Sequence, residues 1–299
     1  MIEIPAELAA SQARYNGAAG RAFIAALPGR AEEFLDRWGL RVTGPSMHGV
    51  ASLVLPVAVA RDGVPAALKL QLLDAETEGE PVALRAWAGD GAVRLLEHDA
   101  GTGTMLLERA DEGRHLSRVA EAREAVGILA DLLARLVAVP APPGLRRLGD
   151  AAARMVDRTP AAAARLADRE DAALLADCAA AVREVMGEPG DRLLHWDLHY
   201  DNILAAEREP WLAIDPKPLA GDPGFELFPA LVNRWDPDPA ETLWRFDLLT
   251  ERLGLDRGRA RAWTLARFLQ NALWTVSDGA PALHPDQVSI ARNLLARRP

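Results

Sequence analysis

The segment at 193–204, LLHWDLHYDNIL, constrains the fold more than any other part of the chain. Apolar runs lead into it and out of it, and five polar side chains stand between them within eight residues: His195, Asp197, His199, Asp201 and Asn202. We expect such a cluster on a tight loop at the ends of two strands, because only the flanking apolar residues suit a core. A further apolar run, WLAID, ends at Asp215, thirteen residues beyond Asn202. The region 190–219 therefore predicts a polar strand–loop–strand unit.

The spacing of this cluster matches the catalytic loop of kinases, H-x-D-L-x-x-x-N, at every fixed position. Phosphoryl transfer needs a carboxylate that receives the proton of the attacking hydroxyl, and it needs oxygen ligands for magnesium. We predict that Asp197 is the base and that Asn202 and Asp215 are the metal ligands. These three residues are the predicted catalytic set.

The distribution of lysine supports a second chemical segment. Lysine and arginine total 34, yet only Lys69 and Lys217 are lysines, so a compact ammonium is kept at two positions in an arginine-using chain. Lys69 lies in the apolar run AALKLQL, where the kinase pattern places its phosphate-binding lysine, and Lys217 follows Asp215 by two residues. The next helix should supply a carboxylate partner for Lys69. Glu80 is the first choice and Glu76 the alternative.

The first third of the chain predicts a helix and then a small antiparallel sheet. Residues 7–37 carry apolar side chains at helical spacing, with a break expected at Pro28–Gly29. Asp62–Gly63 between two apolar runs signals a hairpin. The predicted strands are 49–59, 64–73, 92–99 and 104–110, and the one helix inserted among them is near 81–88.

Helical spacing dominates beyond Gly113, over 117–138, 150–187 and 223–297. We predict an α+β fold with two lobes. Residues 1–109 would form an N-terminal helical segment plus a β-rich nucleotide-binding lobe. Residues 110–299 would form a mainly helical lobe for catalysis and acceptor binding.

Composition excludes several classes of protein. The net charge of −9 disfavours nucleic acid and anionic membrane as partners. The single cysteine, Cys178, excludes an internal disulfide. The start of the chain lacks the features of a secretory signal, and no run of 18 apolar residues exists, which favours a cytoplasmic protein.

The chain resembles the aminoglycoside phosphotransferase family of the protein-kinase-like fold, and within it the streptomycin 6-kinase and hydroxyurea kinase type. The segments that carry the resemblance are HWDLHYDNIL, IDPKPLAGDPGFEL, AVRLLEHD with LLERA, and LVLPVAV before AALKL. The resemblance covers the chain from about residue 38 to the end. It implies ATP and Mg²⁺ as cofactors and transfer of the γ-phosphoryl group to a hydroxyl.

The resemblance also implies nucleotide contacts. The backbones of Glu108 and Ala110 would read adenine, and Gly49 and Ser52 belong to the nucleotide loop GPSMHGVASL. This loop lacks a full G-x-G-x-x-G. The metal motif is DPK rather than DFG, and the segment after Asp215 is too short for a long activation loop. These departures favour a small-molecule kinase that needs no activation.

The acceptor site is expected in the helical lobe, lined by acids and tryptophans. Carboxylates beside aromatic faces suit an ammonium or guanidinium acceptor of the streptomycin type. Hydroxyurea or another metabolite or sugar is the alternative acceptor, and antibiotic resistance is a possible role. The predicted acceptor residues are Asp197, His199, Lys217, Asp222, Glu226, Asn271 and Trp274.

Two other functions remain open at this point. His195, Asp197, His199 and Asp201 could form a dinuclear metallohydrolase site, although this would leave Lys69 unexplained. A non-catalytic nucleotide-binding protein on a kinase fold is the other, but such proteins lack one of the chemical residues, and none is missing here. The sequence does not indicate an oligomeric state.

Overall fold

The structure, a computed structural model, describes residues 2–297. The chain divides into two compact units. The first extends to Asp111 and includes Ala206–Arg208, and the second contains Glu112–Ala205 and continues from Glu209.

The first unit is built on an antiparallel sheet. Its strands are β1 (Leu40–Val42), β2 (Met47–His48), β3 (Ser52–Val59), β4 (Pro65–Gln71), β5 (Leu95–Asp99) and β6 (Thr104–Glu108). Their order is β1-β3-β4-β6-β5, with β2 paired to β3. Gly63 has a φ of 74° in the predicted β3–β4 hairpin turn, a conformation that glycine adopts without strain. The sequence did not predict β1 and β2, because strands of two or three residues are too short to show alternation.

One face of this sheet is apolar and is covered by helix α1 (Ala6–Arg37). Leu27 and Phe34 pack with Leu55 and Leu68 in one buried cluster. The predicted break at Pro28–Gly29 is wrong, because helix continues through Pro28 and the chain kinks at Gly17 instead. The φ of 53° at Gly17 explains the kink, since only glycine reaches this backbone conformation cheaply.

Lys69 lies on the opposite face of the sheet. It pairs across the strands with Val54 and Met105, whereas the apolar cluster uses the alternate residues Leu68 and Leu70. Helix α2 (Glu80–Trp87) follows β4 and agrees with the helix predicted near 81–88. Pro81 lies in its first turn, where a missing N–H costs nothing. Alternation along β4 and the start of α2 therefore fix where Lys69 and Glu80 stand.

The second unit is mainly helical. Its helices are α3 (Ala122–Leu136), α4 (Leu148–Ala163), α5 (Arg169–Val185), α6 (Phe228–Val232), α7 (Pro239–Arg252), α8 (Arg257–Ser277) and α9 (Pro285–Ala296). The helical stretch predicted over 150–187 consists of two helices, α4 and α5. Asp168 separates them by capping α5, since its side chain accepts from the amide of Glu170 at 2.7 Å. Helix α8 is largely buried and packs against α4 and α5.

Short strands in the second unit carry the polar segment. They are β7 (Asp111–His115), β8 (Arg146–Arg147), β9 (Arg192–Leu194), β10 (Ile203–Ala205), β11 (Leu212–Ala213) and β12 (Leu219–Gly221). The orders of the two small sheets are β11-β10-β7 and β8-β12-β9. The loop between β9 and β10 carries Asp197 and Asn202, and Asp215 follows β11. Over residues 2–297, no helix is both long enough and apolar enough to cross a membrane.

Candidate active site

In the first unit, Lys69 and Glu80 form a buried ion pair. The Lys69 Nζ atom donates to both carboxylate oxygens of Glu80 at 2.7 Å, and the two side chains are only 4% and 0% exposed. Glu80, the first-choice partner, therefore holds Lys69, whereas Glu76 is exposed. An ion pair this well desolvated fixes the ammonium in one place, because removing either partner would strand a buried charge.

The other predicted nucleotide residues occupy the turn after β2 and the end of β6. The amide of Gly49 donates to the carbonyl of Ser52 at 3.0 Å, which closes the turn between β2 and β3. The Glu108 carboxylate accepts from Arg208 Nε and Nη2 at 2.8 and 2.9 Å. Burial alone would raise the pKa of Glu108, but Arg208 and the amide of Arg94 lower it below its usual range. Ala110 is buried.

In the second unit, His195 ties the catalytic loop to the segment after β11. Its Nε2 atom lies 3.0 Å from the carbonyl oxygen of Ile214, and its own carbonyl accepts from the amide of Lys217 at 3.0 Å. Burial lowers the pKa of His195 to about 4, so the imidazole is neutral at physiological pH. The His195 side chain thus links the two segments as a structural element.

Asn202 closes the catalytic loop on itself. Its Nδ2 atom donates to the carbonyl oxygen of Asp197 at 2.9 Å, and its own carbonyl accepts from the amide of Ile214. Because the amide nitrogen is used in this way, Oδ1 is the atom of Asn202 that suits a cation. The neighbouring Asp201 is held away from the centre by Ser117, whose Oγ donates to its carboxylate at 2.5 Å.

Asp215 stands in a strained conformation with a φ of 56°. Its Oδ1 atom accepts from Lys217 Nζ at 2.9 Å, so both rare lysines contact a carboxylate. Hard oxygen donors from Asp215 and Asn202 fit Mg²⁺, which prefers carboxylate and amide oxygens and keeps several waters.

Asp197 is half-buried, with 35% of its side chain accessible. Its Oδ2 atom lies 3.9 Å from His199 Nε2, and its Oδ1 atom lies 3.6 Å from Arg267 Nη2 on α8. Arg267 is not among the site residues predicted from the sequence. An arginine within the apolar stretch WTLARFL was the available signal, because a charged residue in a buried helix needs a partner.

Two of the predicted acceptor residues are buried and form hydrogen bonds with other groups of the protein. Glu226 is fully buried, and its Oε1 atom accepts from the amide of Trp196 at 2.6 Å. The Asp222 carboxylate accepts from Arg259 Nε at 2.5 Å and from the amide of Gly224 at 2.8 Å. The expectation that these acids line an open acceptor pocket therefore requires correction. Asp222 caps a short 3₁₀ segment, Pro223–Glu226, that ends at Glu226 and packs against α8.

The two predicted acceptor residues on α8 lie in different surroundings. Trp274 is 39% exposed, and its ring centroid lies 6.4 Å from that of Trp196, beside the catalytic loop. The Asn271 side chain instead donates to Gln287 on α9 at 3.2 Å. Trp274 is therefore the better placed of the two to meet a molecule bound near Asp197.

The ligand set of a dinuclear hydrolase is not assembled. Within residues 2–297, no group of three or more His, Cys, Asp or Glu side chains is arranged to hold a metal ion. The His195 imidazole is buried against the carbonyl of Ile214, and the exposed Asp201 carboxylate accepts from Ser117 Oγ, so both side chains are bound outside such a ligand set.

Comparisons with known proteins show the family to which this chain belongs. The model for the aminoglycoside/hydroxyurea antibiotic resistance kinases matches residues 37–279. The chain is 64% identical to a hydroxyurea phosphotransferase of Kitasatospora aureofaciens, over 99% of this chain and 87% of that protein. It is 58% identical to a streptomycin 6-kinase of Streptomyces glaucescens, over 98% of this chain and 97% of the other.

A solved structure shares the fold at low sequence identity. It is a thermostable mutant of the aminoglycoside phosphotransferase APH(4)-Ia, in complex with ADP and hygromycin B. It aligns with a TM-score of 0.57 and 15% identity, over 89% of this chain and 96% of that one. The predicted α+β class and kinase-like fold are confirmed. The chain belongs to the aminoglycoside/hydroxyurea antibiotic resistance kinase family and is a phosphotransferase of the protein-kinase-like fold.

Proposed function

We propose that this kinase transfers the γ-phosphoryl group of ATP to a hydroxyl of a streptomycin-type aminoglycoside, with Asp197 as the catalytic base. The observation that carries the proposal is the solvent exposure of the Asp197 side chain. This side chain is about one-third exposed, whereas the three residues that hold its loop in place, His195, Asn202 and Glu226, are buried. An acceptor hydroxyl can reach this carboxylate, whereas the buried groups serve to hold it.

In the proposed reaction the acceptor oxygen attacks the γ-phosphorus while its proton passes to Asp197. The bond from the γ-phosphorus to the bridging oxygen breaks, and ADP leaves with that electron pair. The transition state of such transfers is loose, so position and charge matter more than covalent chemistry. Lys69, fixed by Glu80, would neutralise the phosphates of the nucleotide.

Asn202 Oδ1 and the Asp215 carboxylate are the proposed ligands of Mg²⁺. A bound magnesium ion would neutralise the charge of the phosphates. Asp215 is held by its contact with Lys217, and Asn202 by its contact with Asp197.

ATP as the donor is supported by the ADP present in the APH(4)-Ia complex. We further propose that the backbones of Glu108 and Ala110 read adenine and that the Gly49–Ser52 turn covers the phosphates. The Arg208 ion pair and the Arg94 amide hold Glu108 at the end of β6, and this supports a fixed adenine-reading backbone there.

Hydroxyurea is the second candidate acceptor. The hydroxyurea phosphotransferase relative is 64% identical to this chain, against 58% for the streptomycin 6-kinase. The burial of Asp222 and Glu226 also weakens the argument for an acid-lined pocket. A small neutral acceptor needs no such pocket and could instead meet the exposed face of Trp274.

The deciding experiment is coupled ADP release with streptomycin and with hydroxyurea, measured side by side. Asp197→Asn is measured in parallel to subtract acceptor-independent hydrolysis. We expect kcat/KM for streptomycin to exceed that for hydroxyurea. A reversed preference would favour the second candidate, and no acceptor-dependent ADP release with either compound would refute both.

A further inference from the structure

Arg267 is a buried charge of the second unit that the roles above leave unused. It is 5% exposed, and its guanidinium carbon lies 5.6, 5.7 and 5.5 Å from the ring centroids of Trp196, Phe225 and Trp274. Burying a guanidinium is costly unless other groups meet its charge. Three rings fix its position, but rings alone compensate only part of that cost.

One charge partner of Arg267 is the proposed base, and the buried Glu226 is another. Its Nη2 atom lies 3.6 Å from Asp197 Oδ1, which is an ion-pair distance rather than a hydrogen bond. His199 Nε2 lies 3.9 Å from the other oxygen, Oδ2. The Asp197 carboxylate is therefore flanked on both oxygens by nitrogen-bearing side chains.

Arg267 also contacts Trp196, the residue directly before the proposed base. Trp196 precedes Asp197 and has a φ of 69°, a conformation that a bulky residue keeps only when its surroundings enforce it. Its amide is bound to Glu226, and its ring lies against Arg267 and, at 4.7 Å, against Arg146. One side chain on α8 thus contacts both the strained residue and the carboxylate that follows it.

We propose that Arg267 is a positioning residue for Asp197: it stacks on the strained Trp196 and pairs with Oδ1, and so aims the carboxylate at the acceptor hydroxyl. The inference rests on the proposed role of Asp197 as the base. A misplacement of about 1 Å in a reacting geometry costs on the order of 10²-fold in rate. Nucleotide binding does not depend on this aim.

A purely structural role for Arg267 is the competing explanation, and Arg146 supplies the matched control. Arg146 also lies over the Trp196 ring, but its Nη2 atom donates to the carbonyl of Lys217 at 3.0 Å. Arg146→Met therefore removes a guanidinium from the same ring. Arg267→Met removes the ring contact together with the ion pair to Asp197.

The test is a double-mutant cycle of Arg267→Met with Asp197→Asn, measured as kcat at saturating acceptor and MgATP. We expect Arg267→Met alone to lower kcat by about 10–100-fold with unchanged MgATP affinity, because the aim of the base is lost. In the Asp197→Asn background the same change should alter kcat by less than about twofold, because a residue that acts through Asp197 has nothing left to position. Arg146→Met should lower kcat by a similar factor in both backgrounds.

If the decreases in kcat caused by Arg267→Met and by Asp197→Asn multiply in the double mutant, the proposed role of Arg267 is wrong. If Arg267→Met does not fold, Arg267→Lys takes its place in the cycle, since it keeps the charge but loses the planar stack. The two possible failures are distinguishable. An Asp197→Asn variant with nearly parental turnover refutes the proposed base itself. An Asp197→Asn variant whose kcat falls about 10²–10⁴-fold, with multiplying losses in the double mutant, refutes only the role of Arg267.

Discussion

The two units hold their candidate chemical groups in different ways. In the first unit, Lys69 and Glu80 come from a strand and from the first turn of a helix, and each side chain is directed by regular backbone geometry. In the second unit, Asp197 and Asp215 come from irregular segments. Four non-glycine residues have positive φ over the described part of the chain, and two of them are Trp196 and Asp215.

The difference shows where supporting residues are needed. A regular strand and helix direct Lys69 and Glu80 straight into a buried ion pair. Each strained residue costs about 1–3 kcal/mol and persists only when its surroundings determine it. The loop is accordingly bound by Glu226 at Trp196, by Asn202 at Asp197 and by Lys217 at Asp215.

The largest loss of turnover is expected from the replacement of Asp197. Asp197→Asn keeps the shape of the side chain but removes its capacity to take a proton, so kcat should fall about 10²–10⁴-fold. Affinity for MgATP, measured by calorimetry, should stay near that of the parent. Turnover within about threefold of the parent on any phosphorylated acceptor would remove Asp197 from the base role.

Next in size is the loss of the proposed metal ligands. Even residues that only orient a metal ligand typically contribute about 10–100-fold to metal affinity or activity, so Asp215→Ala and Asn202→Ala should cost at least as much. Calorimetric titrations of ATP with and without Mg²⁺ measure the effect, which should appear only when magnesium is present. Asp201→Ala is the matched control, because this carboxylate is bound to Ser117. Equal Mg²⁺ dependence in all three variants would contradict the assignment.

The same contrast explains what the sequence could predict. The rarity of lysine, the apolar run AALKLQL and the helix expected next were enough to pair Lys69 with Glu80. The spacing of the polar cluster was enough to predict Asp197 as the base and Asn202 and Asp215 as metal ligands, and these roles stay predictions. Local patterns of this kind are visible in a sequence because the partners lie on neighbouring elements.

Contacts between distant segments left no comparable pattern. Glu226 approaches Trp196 from 30 residues away, and Arg267 reaches Asp197 from α8. From the sequence, Glu226 looked like an acid near the acceptor, because nothing local shows that α8 covers it. The kink at Gly17 was missed for a related reason: Pro28 is the stronger local signal, but a positive φ depends on how the helix packs.

A smaller effect is expected in the first unit, from Lys69→Arg. The guanidinium keeps the charge but is wider and planar, so it should not fit the buried space beside Glu80. We expect kcat/KM for ATP to fall on the order of tenfold, equivalent to about 1.4 kcal/mol. Arg37→Lys, in the exposed pair with Asp99, is the control and should change little. A fully active Lys69→Arg variant would mean that this unit does not need a compact ammonium.

The last effect concerns stability rather than turnover, and it arises at Glu226. Burial, opposed by the Trp196 amide and by Arg267, raises the pKa of this carboxyl from 4.5 to about 7. Between these values the folded protein holds a proton that the unfolded chain has released. The free energy of unfolding should therefore fall as pH rises from about 4.5 to about 7, by up to about 1.4 kcal/mol per pH unit.

Glu226→Gln keeps an oxygen that can accept from the Trp196 amide and has no charge to titrate, so its unfolding free energy should lack this decline. Urea unfolding at several pH values measures the difference, with Glu184→Gln on the exposed face of α5 as the control that keeps the parental slope. Parallel slopes for parent and Glu226→Gln would show that burial does not hold the proton on Glu226, and the loop would then be anchored to an ionised carboxylate.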